Sequence, residues 1–234
     1  MPPSVKILAS LAFCVVGACA SVVYDTSASF TGTRSVGGSG GLIDGGGHGY
    51  DDLMVSWSIV SLPNWTYSYT YTITIGNQEA PVVSRAIVDL SNDCSIPASP
   101  NYSKAPCDSN PSVNGAPGVA IPGDWCAGGA CAANSIPGLP NPIAGLEFVG
   151  LPRNGRTLTI SFDALGPPVW GDFYIGGGLQ YAYNIGNANH LTTNSLDFVA
   201  VPGAPPATAP EPKTLGLAGA ALVLLGLLGK QRPK

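Results

Sequence analysis

Between positions 65 and 75 the chain alternates without a break: Trp65, Tyr67, Tyr69, Tyr71, Ile73 and Ile75 share one parity, and only threonine and serine fill the other. A period of two belongs to a strand, whose successive side chains point to opposite faces. A helix would scatter those aromatics around its circumference, and β-branched and aromatic residues lose side-chain freedom there. The pattern predicts a strand with one face in a core and the other in solvent. Shorter alternations recur at 53–60, 82–90, 146–149, 157–162, 169–175, 180–185 and 196–201, punctuated by Gly, Pro and Asn. Residues 21–30 read as a first strand, and the glycine-rich stretch 32–49 reads as a loop. Many short strands without intervening helices predict an all-β domain, an antiparallel β-sandwich of jelly-roll or immunoglobulin-like type, over residues 21–201. Residues 91–141 carry little apolar periodicity and read as an excursion joining the two halves.

The two ends follow a different rule. Lys6 is the only charged side chain near the start, residues 7–17 are apolar, and Ala18-Cys19-Ala20 supplies the small residues a signal peptidase needs, so 1–20 reads as a signal peptide. Val16-Gly17-Ala18-Cys19 also resembles a lipobox, which would acylate Cys19 instead. Beyond the last alternation, 202–209 is a proline-rich linker, extended because each proline fixes φ and disfavours helix before it. Pro210-Glu211-Pro212 then precedes an apolar run at 215–229 and a basic end, Lys230 to Lys234. At about 1.5 Å per helical residue that run reaches roughly 22 Å, short of the ~30 Å hydrocarbon core of a bilayer. It can insert, with its terminal cations on the cytoplasmic side.

Composition narrows the function further. Ten Lys and Arg against fourteen Asp and Glu leave a net charge of -4 with no basic stripe, which argues against nucleic acid as a partner. The 31 glycines and 22 prolines leave little room for long helices away from the ends. Cys94, Cys107, Cys126 and Cys131 remain after signal cleavage, and an even number in an exported chain reads as two disulfides. Three pairings are open. Short loop closure favours Cys94 with Cys107 and Cys126 with Cys131, and the spacings do not fit a zinc ribbon.

The C-terminal arrangement resembles the PEP-CTERM sorting signal of bacterial surface proteins, with Pro210, Glu211 and Pro212 matching the motif and Ala209 standing where Val is frequent. The resemblance implies recognition of 210–234 by an exosortase-type membrane protease after transient insertion in the inner membrane. It implies a resting place on the surface or in the extracellular matrix of a Gram-negative bacterium, usually alongside exopolysaccharide. Three body segments, Trp65 to Thr70, Ser84 to Leu90 and Pro168 to Tyr174 with Tyr181 to Asn184, are similar to exported β-sandwich proteins that carry this tail. Those proteins supply no chemistry to transfer.

Candidate chemistry is therefore sought residue by residue. Gly37-Gly38-Ser39-Gly40-Gly41 has the spacing of a nucleophile elbow but lacks the strand and helix that strain one, and His48 and His190 are the only histidines. Asp44, Asp51 and Asp52 lie in a loop flexible enough to wrap Ca²⁺, but the spacing matches no calcium loop, and a solvated connector is the preferred reading. Glu147 and Asp163 flank a strand pair, where a glycosidase would need both carboxyls in one cleft. Most aromatics at period two belong to a core. Trp125 and the set Trp170, Asp172 and Tyr174 are the candidates for a saccharide-binding surface. Asn64 and Asn101 head N-glycosylation sequons, incidental in the bacterial context the tail implies. The expectation is a non-enzymatic envelope or matrix protein without cofactor, structural or adhesive; a carbohydrate-binding module is the alternative, ahead of a secreted hydrolase.

Overall fold

A computed structural model of the protein describes residues 24–37, 40–47, 49–76, 82–90, 108–127, 135–151, 156–189, 192 and 194–203. Sixteen strands occupy them: β1 (Tyr24–Ser27), β2 (Thr31–Val36), β3 (Gly41–Asp44), β4 (Leu53–Ser61), β5 (Thr66–Ile75), β6 (Arg85–Asp89), β7 (Asp108–Val113), β8 (Ala116–Pro117), β9 (Val119–Ala127), β10 (Ser135–Ile136), β11 (Ile143–Val149), β12 (Thr157–Leu165), β13 (Pro168–Gly171), β14 (Phe173–Gly177), β15 (Gln180–Asn184) and β16 (Val199–Pro202). One helical turn, α1 (Ile185–Ala188), and a 3-10 turn (Ser195–Asp197) link β15 to β16. The chain is all-β.

Thirteen strands form one sheet in the order β10-β9-β11-β6-β14-β15-β3-β2-β4-β5-β12-β7-β8, and β1-β13-β16 form a second. Pairing is antiparallel except at β9 with β10 and β2 with β3. The alternation that opens the sequence lies on β5, where every second residue from Tyr67 to Ile75 is buried and the hydroxyl-bearing face is partly exposed. Register sets Tyr71 opposite Trp57 of β4 and Ile160 of β12, so three amphipathic strands point apolar faces the same way.

Ring packing shows that the large sheet curls back on itself. Phe148 of β11 lies 5.8 Å from Phe162 of β12, although eight places separate these strands in the sheet. Tyr71 stacks between Phe162 at 6.2 Å and Phe173 at 6.0 Å. The small sheet packs into this core through Val169, Val199 and Val201, and the Tyr71 hydroxyl donates to the Ala200 carbonyl at 2.7 Å. Offset aromatic packing of this kind adds about 0.5–1.5 kcal/mol per pair beyond area burial.

Three expectations change. The stretch 32–49 is not a single loop, because it contains β2 and β3. Its glycines hid them: a Cβ on Gly32 would lie 2.1 Å from the Trp57 ring, so glycine lets a large ring rest on a strand. The second part of the 91–141 excursion is sheet, with β7 paired to β12 and β9 to β11. Val119 and Ile121 of β9 are exposed while Ala120 faces the core, which inverts the usual polarity of the alternation. The segment 169–175 is two strands rather than one. It breaks at Asp172, whose carbonyl accepts from Asp89 N–H and whose N–H donates to Asp89 Oδ2, so the chain passes from one sheet to the other there.

Candidate functional site

The β14–β15 hairpin places Tyr174 directly opposite Tyr183, and Tyr181 two residues along the same face. The three rings form a ladder, 6.3 Å from Tyr174 to Tyr181 and 6.2 Å from Tyr181 to Tyr183, within 17° of parallel. They lie on the outer face of the sheet, against a second small core of Ile87, Trp125, Ile136, Leu139 and Ile143. The turn after β10 closes over them. Tyr174 donates its hydroxyl to the Pro137 carbonyl at 2.9 Å. Gly138, at φ 72, is pressed so closely on Tyr181 that a Cβ there would fall 1.9 Å from the ring.

Beside the ladder is a cavity of about 270 Å³, bounded by Ser84, Arg85, Tyr174, Gln180, Tyr181 and the glycines at 176–178. Arg85 reaches it because β6 runs antiparallel to β14, with Arg85 opposite Gly176. Its Nε lies 3.5 Å from Oε1 of Glu147, a buried carboxylate whose pKa is raised by burial and pulled back by that guanidinium. Burial likewise raises the Tyr174 phenol. Two polar atoms next to the cavity have no partner among the described residues. They are the buried Oη of Tyr50, near Gly177, and Oε1 of Gln180, near Gly49. Burial and the Asp44 charge push the Tyr50 phenol up to about 12, so it stays protonated and a donor at neutral pH. Rings, a guanidinium, a phenol and an amide around one hollow suit a neutral, hydroxyl-rich ligand with an apolar ring face.

A second polar constellation lies between the sheets. Asp172 accepts from Asn184 Nδ2 at 2.9 Å and from Asn187 Nδ2 at 3.1 Å. Asn184 Oδ1 accepts from Phe173 N–H at 2.7 Å, and its Nδ2 also reaches the Asp197 carbonyl at 2.9 Å, so the orientation of this amide follows from the backbone. Asp89 is fully enclosed beside Asp172, and its pKa is raised well above the carboxylate range by burial and then by the Asp172 charge. One oxygen, Oδ1, has no partner among the described residues. Burial and the neighbouring Asp172 charge therefore both favour the protonated form of Asp89. This cluster fastens β6, β14, β15 and α1 together beneath the ladder.

Of the four sequence candidates, the structure brings together Trp125 and Tyr174, in the small core behind the cavity. Trp125 is 6% exposed, so its ring supports the site from behind and is not itself a surface platform. Trp170 is elsewhere, edge-on to Trp57 at 6.1 Å, with the Arg34 guanidinium 5.0 Å from the Trp57 ring and 5.3 Å from the Trp170 ring. Asp172 is in the buried cluster just described. Asp44 accepts from Gly46 N–H at 3.1 Å and Tyr50 N–H at 3.0 Å, so both its oxygens organise their own loop, while Asp51 and Asp52 are exposed. Among the described residues no group of three or more His, Cys, Asp or Glu could hold a metal ion. Glu147 pairs with Arg85, whereas Asp163 of β12 accepts from Asn110 at 2.8 Å. Cys126 is in a disulfide. Cys94, Cys107 and Cys131, along with Ser39, His48, His190 and Asn101, lie outside the described residues, as do the signal peptide, most of the linker and Pro210, Glu211 and Pro212. Among the described residues no helix is long and apolar enough to cross a membrane.

Sequence reasoning missed Arg85, Gln180, Tyr181 and Tyr183 as site residues. The alternation Tyr181-Ala182-Tyr183 was a signal for the ladder, but the neighbourhood of β6 and β14 follows from sheet order, which no local pattern encodes. No family model, curated protein or solved structure matches the chain.

Proposed function

We propose that the chain is an exported bacterial surface or matrix protein, processed by an exosortase at Pro210-Glu211-Pro212, whose β domain binds an envelope saccharide without catalysis. In this reading the curled sheet and its three-stranded partner make a jelly-roll-like sandwich that holds the binding face rigid. The observation that carries the binding half is the tyrosine ladder running into the cavity at Arg85. The partly exposed rings of Tyr181 and Tyr183 attract the slightly positive C–H face of a sugar ring, with the buried Tyr174 ring backing them, and the guanidinium, phenol and amide beside them meet the hydroxyls. A hollow of about 270 Å³ is near the lower end of small-molecule sites, which suits one residue of a polymer threaded past the ladder.

The test is calorimetric titration of the full chain in detergent with fragments of the producer's own exopolysaccharide. Tyr181→Ala removes the central ring and is expected to weaken binding at least tenfold while leaving Tm within a few degrees. Equal affinity in the variant and the parent, or no binding in either, refutes the saccharide reading.

A further inference from the structure

The end of the domain at the last described residue exposes several large apolar side chains. Gly203, the last described residue, donates its N–H to the Pro167 carbonyl at 2.8 Å, and Pro167 follows Leu165 and Gly166 in the turn from β12 to β13. Gly166 N–H in turn donates to the carbonyl of Trp65, at the tip of the β4–β5 hairpin. Around this point Phe30 is 45%, Val60 56%, Trp65 65% and Leu165 40% exposed. Phe30 meets the hairpin through Tyr67, ring to ring at 6.1 Å. Single exposed apolar side chains are ordinary; four at one end, beside the chain exit, form a patch.

The hairpin tip is built against its own local preference. Asn64 and Trp65 both have φ of 61°, so they are the central residues of a turn in which both are left-handed. Asn followed by Gly fits such a turn, and a bulky residue at the second position is disfavoured. A glycine after Asn64 would relieve the backbone, yet the position holds a tryptophan whose ring projects into solvent. An amphipathic ring of this kind sits comfortably at a lipid headgroup boundary.

We propose that this end docks on the surface of a lipid bilayer while the apolar run at 215–229 is inserted, so that the domain stands on Trp65, Phe30, Val60 and Leu165; the proposal rests on the tail reading given above. About a dozen residues separate Gly203 from Leu215, a reach of up to ~40 Å at ~3.3 Å each. That tether does not force contact, but it holds the patch near the surface at an effective concentration where weak apolar insertion suffices. The cations among the described residues do not serve this end. Arg34 is enclosed by the Thr33, Ser195 and Phe198 carbonyls, Arg85 pairs with Glu147, and Arg156 caps Gly76 at the far end of β5. Docking therefore needs no anionic lipid. The tyrosine site faces away: Gly177 beside it packs near Tyr50, which precedes Leu53, and Leu53 pairs with Ile75, opposite the Trp65 tip.

The full chain is reconstituted in pure phosphatidylcholine vesicles with and without acyl chains brominated near the headgroup, and tryptophan quenching is read. Trp57 and Trp125 are buried, so quenching of the wild type above that of Trp65→Phe reports Trp65. Two further variants in the Trp65→Phe background calibrate it: Leu222→Trp reads tail insertion, and Leu179→Trp reads the far end, where Leu179 is 86% exposed in the β14–β15 turn. The expected result is quenching of Leu222→Trp, at least twofold greater quenching in the wild type than in Trp65→Phe, and none added by Leu179→Trp. Quenching of Leu222→Trp with wild type and Trp65→Phe alike overturns the docking while leaving the tail reading intact. No quenching of Leu222→Trp overturns the tail reading and the docking with it. Trp65 shielded from acrylamide but untouched by brominated lipid means that a second copy covers the patch, which also overturns the proposal.

Discussion

Asp89→Asn is expected to make the protein more stable at neutral pH and to flatten its dependence on pH. Asp89 is fully enclosed, its pKa is raised by burial and by the Asp172 charge, and its Oδ1 has no partner among the described residues. A carboxyl raised by folding binds more protons folded than unfolded between its ordinary value, about 3.9, and its raised one, so stability falls as pH climbs through that interval. A single group of this kind contributes a slope of up to ~1.4 kcal/mol per pH unit, complete in acid and lost going up. Asparagine keeps the acceptor that receives Asp172 N–H at 3.3 Å and removes the titrating group. Asp172→Asn should do the reverse. Its two oxygens accept from the amides of Asn184 and Asn187, so one donor would face an N–H₂ group and lose its partner, at about 1–3 kcal/mol. Urea unfolding at pH 4, 5.5, 7 and 8.5, followed by tryptophan fluorescence, gives both answers. If Asp89→Asn keeps the parent's slope, or if the two variants lose stability equally at pH 7, the assignment of proton and charge within the pair is wrong.

Arg34→Lys should cost roughly 2–4 kcal/mol, measured as a lowered urea midpoint at constant m-value, because a point ammonium cannot replace a planar fork that reaches three carbonyls between two tryptophan rings; a change below ~0.5 kcal/mol would contradict that account. Intact-mass spectrometry of the protein released by its native producer should show the apolar run 215–229 missing, and a mature form still carrying it to Lys234 would refute exosortase processing.

How legible the molecule was depended on where its information lies. Strands with one face in the main core declared themselves: β4, β5 and β12 coincide with the alternations that mark them. Strands whose inward residues are small did not, because Gly32 and Ala120 contribute surface without an apolar signal. The candidate site was half visible. Tyr174 could be singled out as an aromatic on a strand, but Trp125 reads the same way and turns out to support the cavity from behind. Arg85 is an isolated cation in the sequence, and only the β6–β14 pairing gives it a role. The break at Asp172 was hidden because apolar and aromatic residues flank it closely on both sides, so 169–175 reads as one strand, whereas two hydrogen bonds from the Asp172 backbone to Asp89 divide it between sheets.

The last described strand also governs when this protein can fold. Val199, Ala200 and Val201 are wholly buried, and Ala200 accepts the Tyr71 hydroxyl across 129 positions of sequence. A chain emerging from its N-terminus can pair β4 with β5 early, but its core stays open until β16 arrives to close it. Non-local closure of this kind makes folding slow, on the ms–s scale of β-rich domains. Until then Tyr71 and its neighbours remain exposed, so an arrest just short of residue 199 would leave a species prone to aggregate.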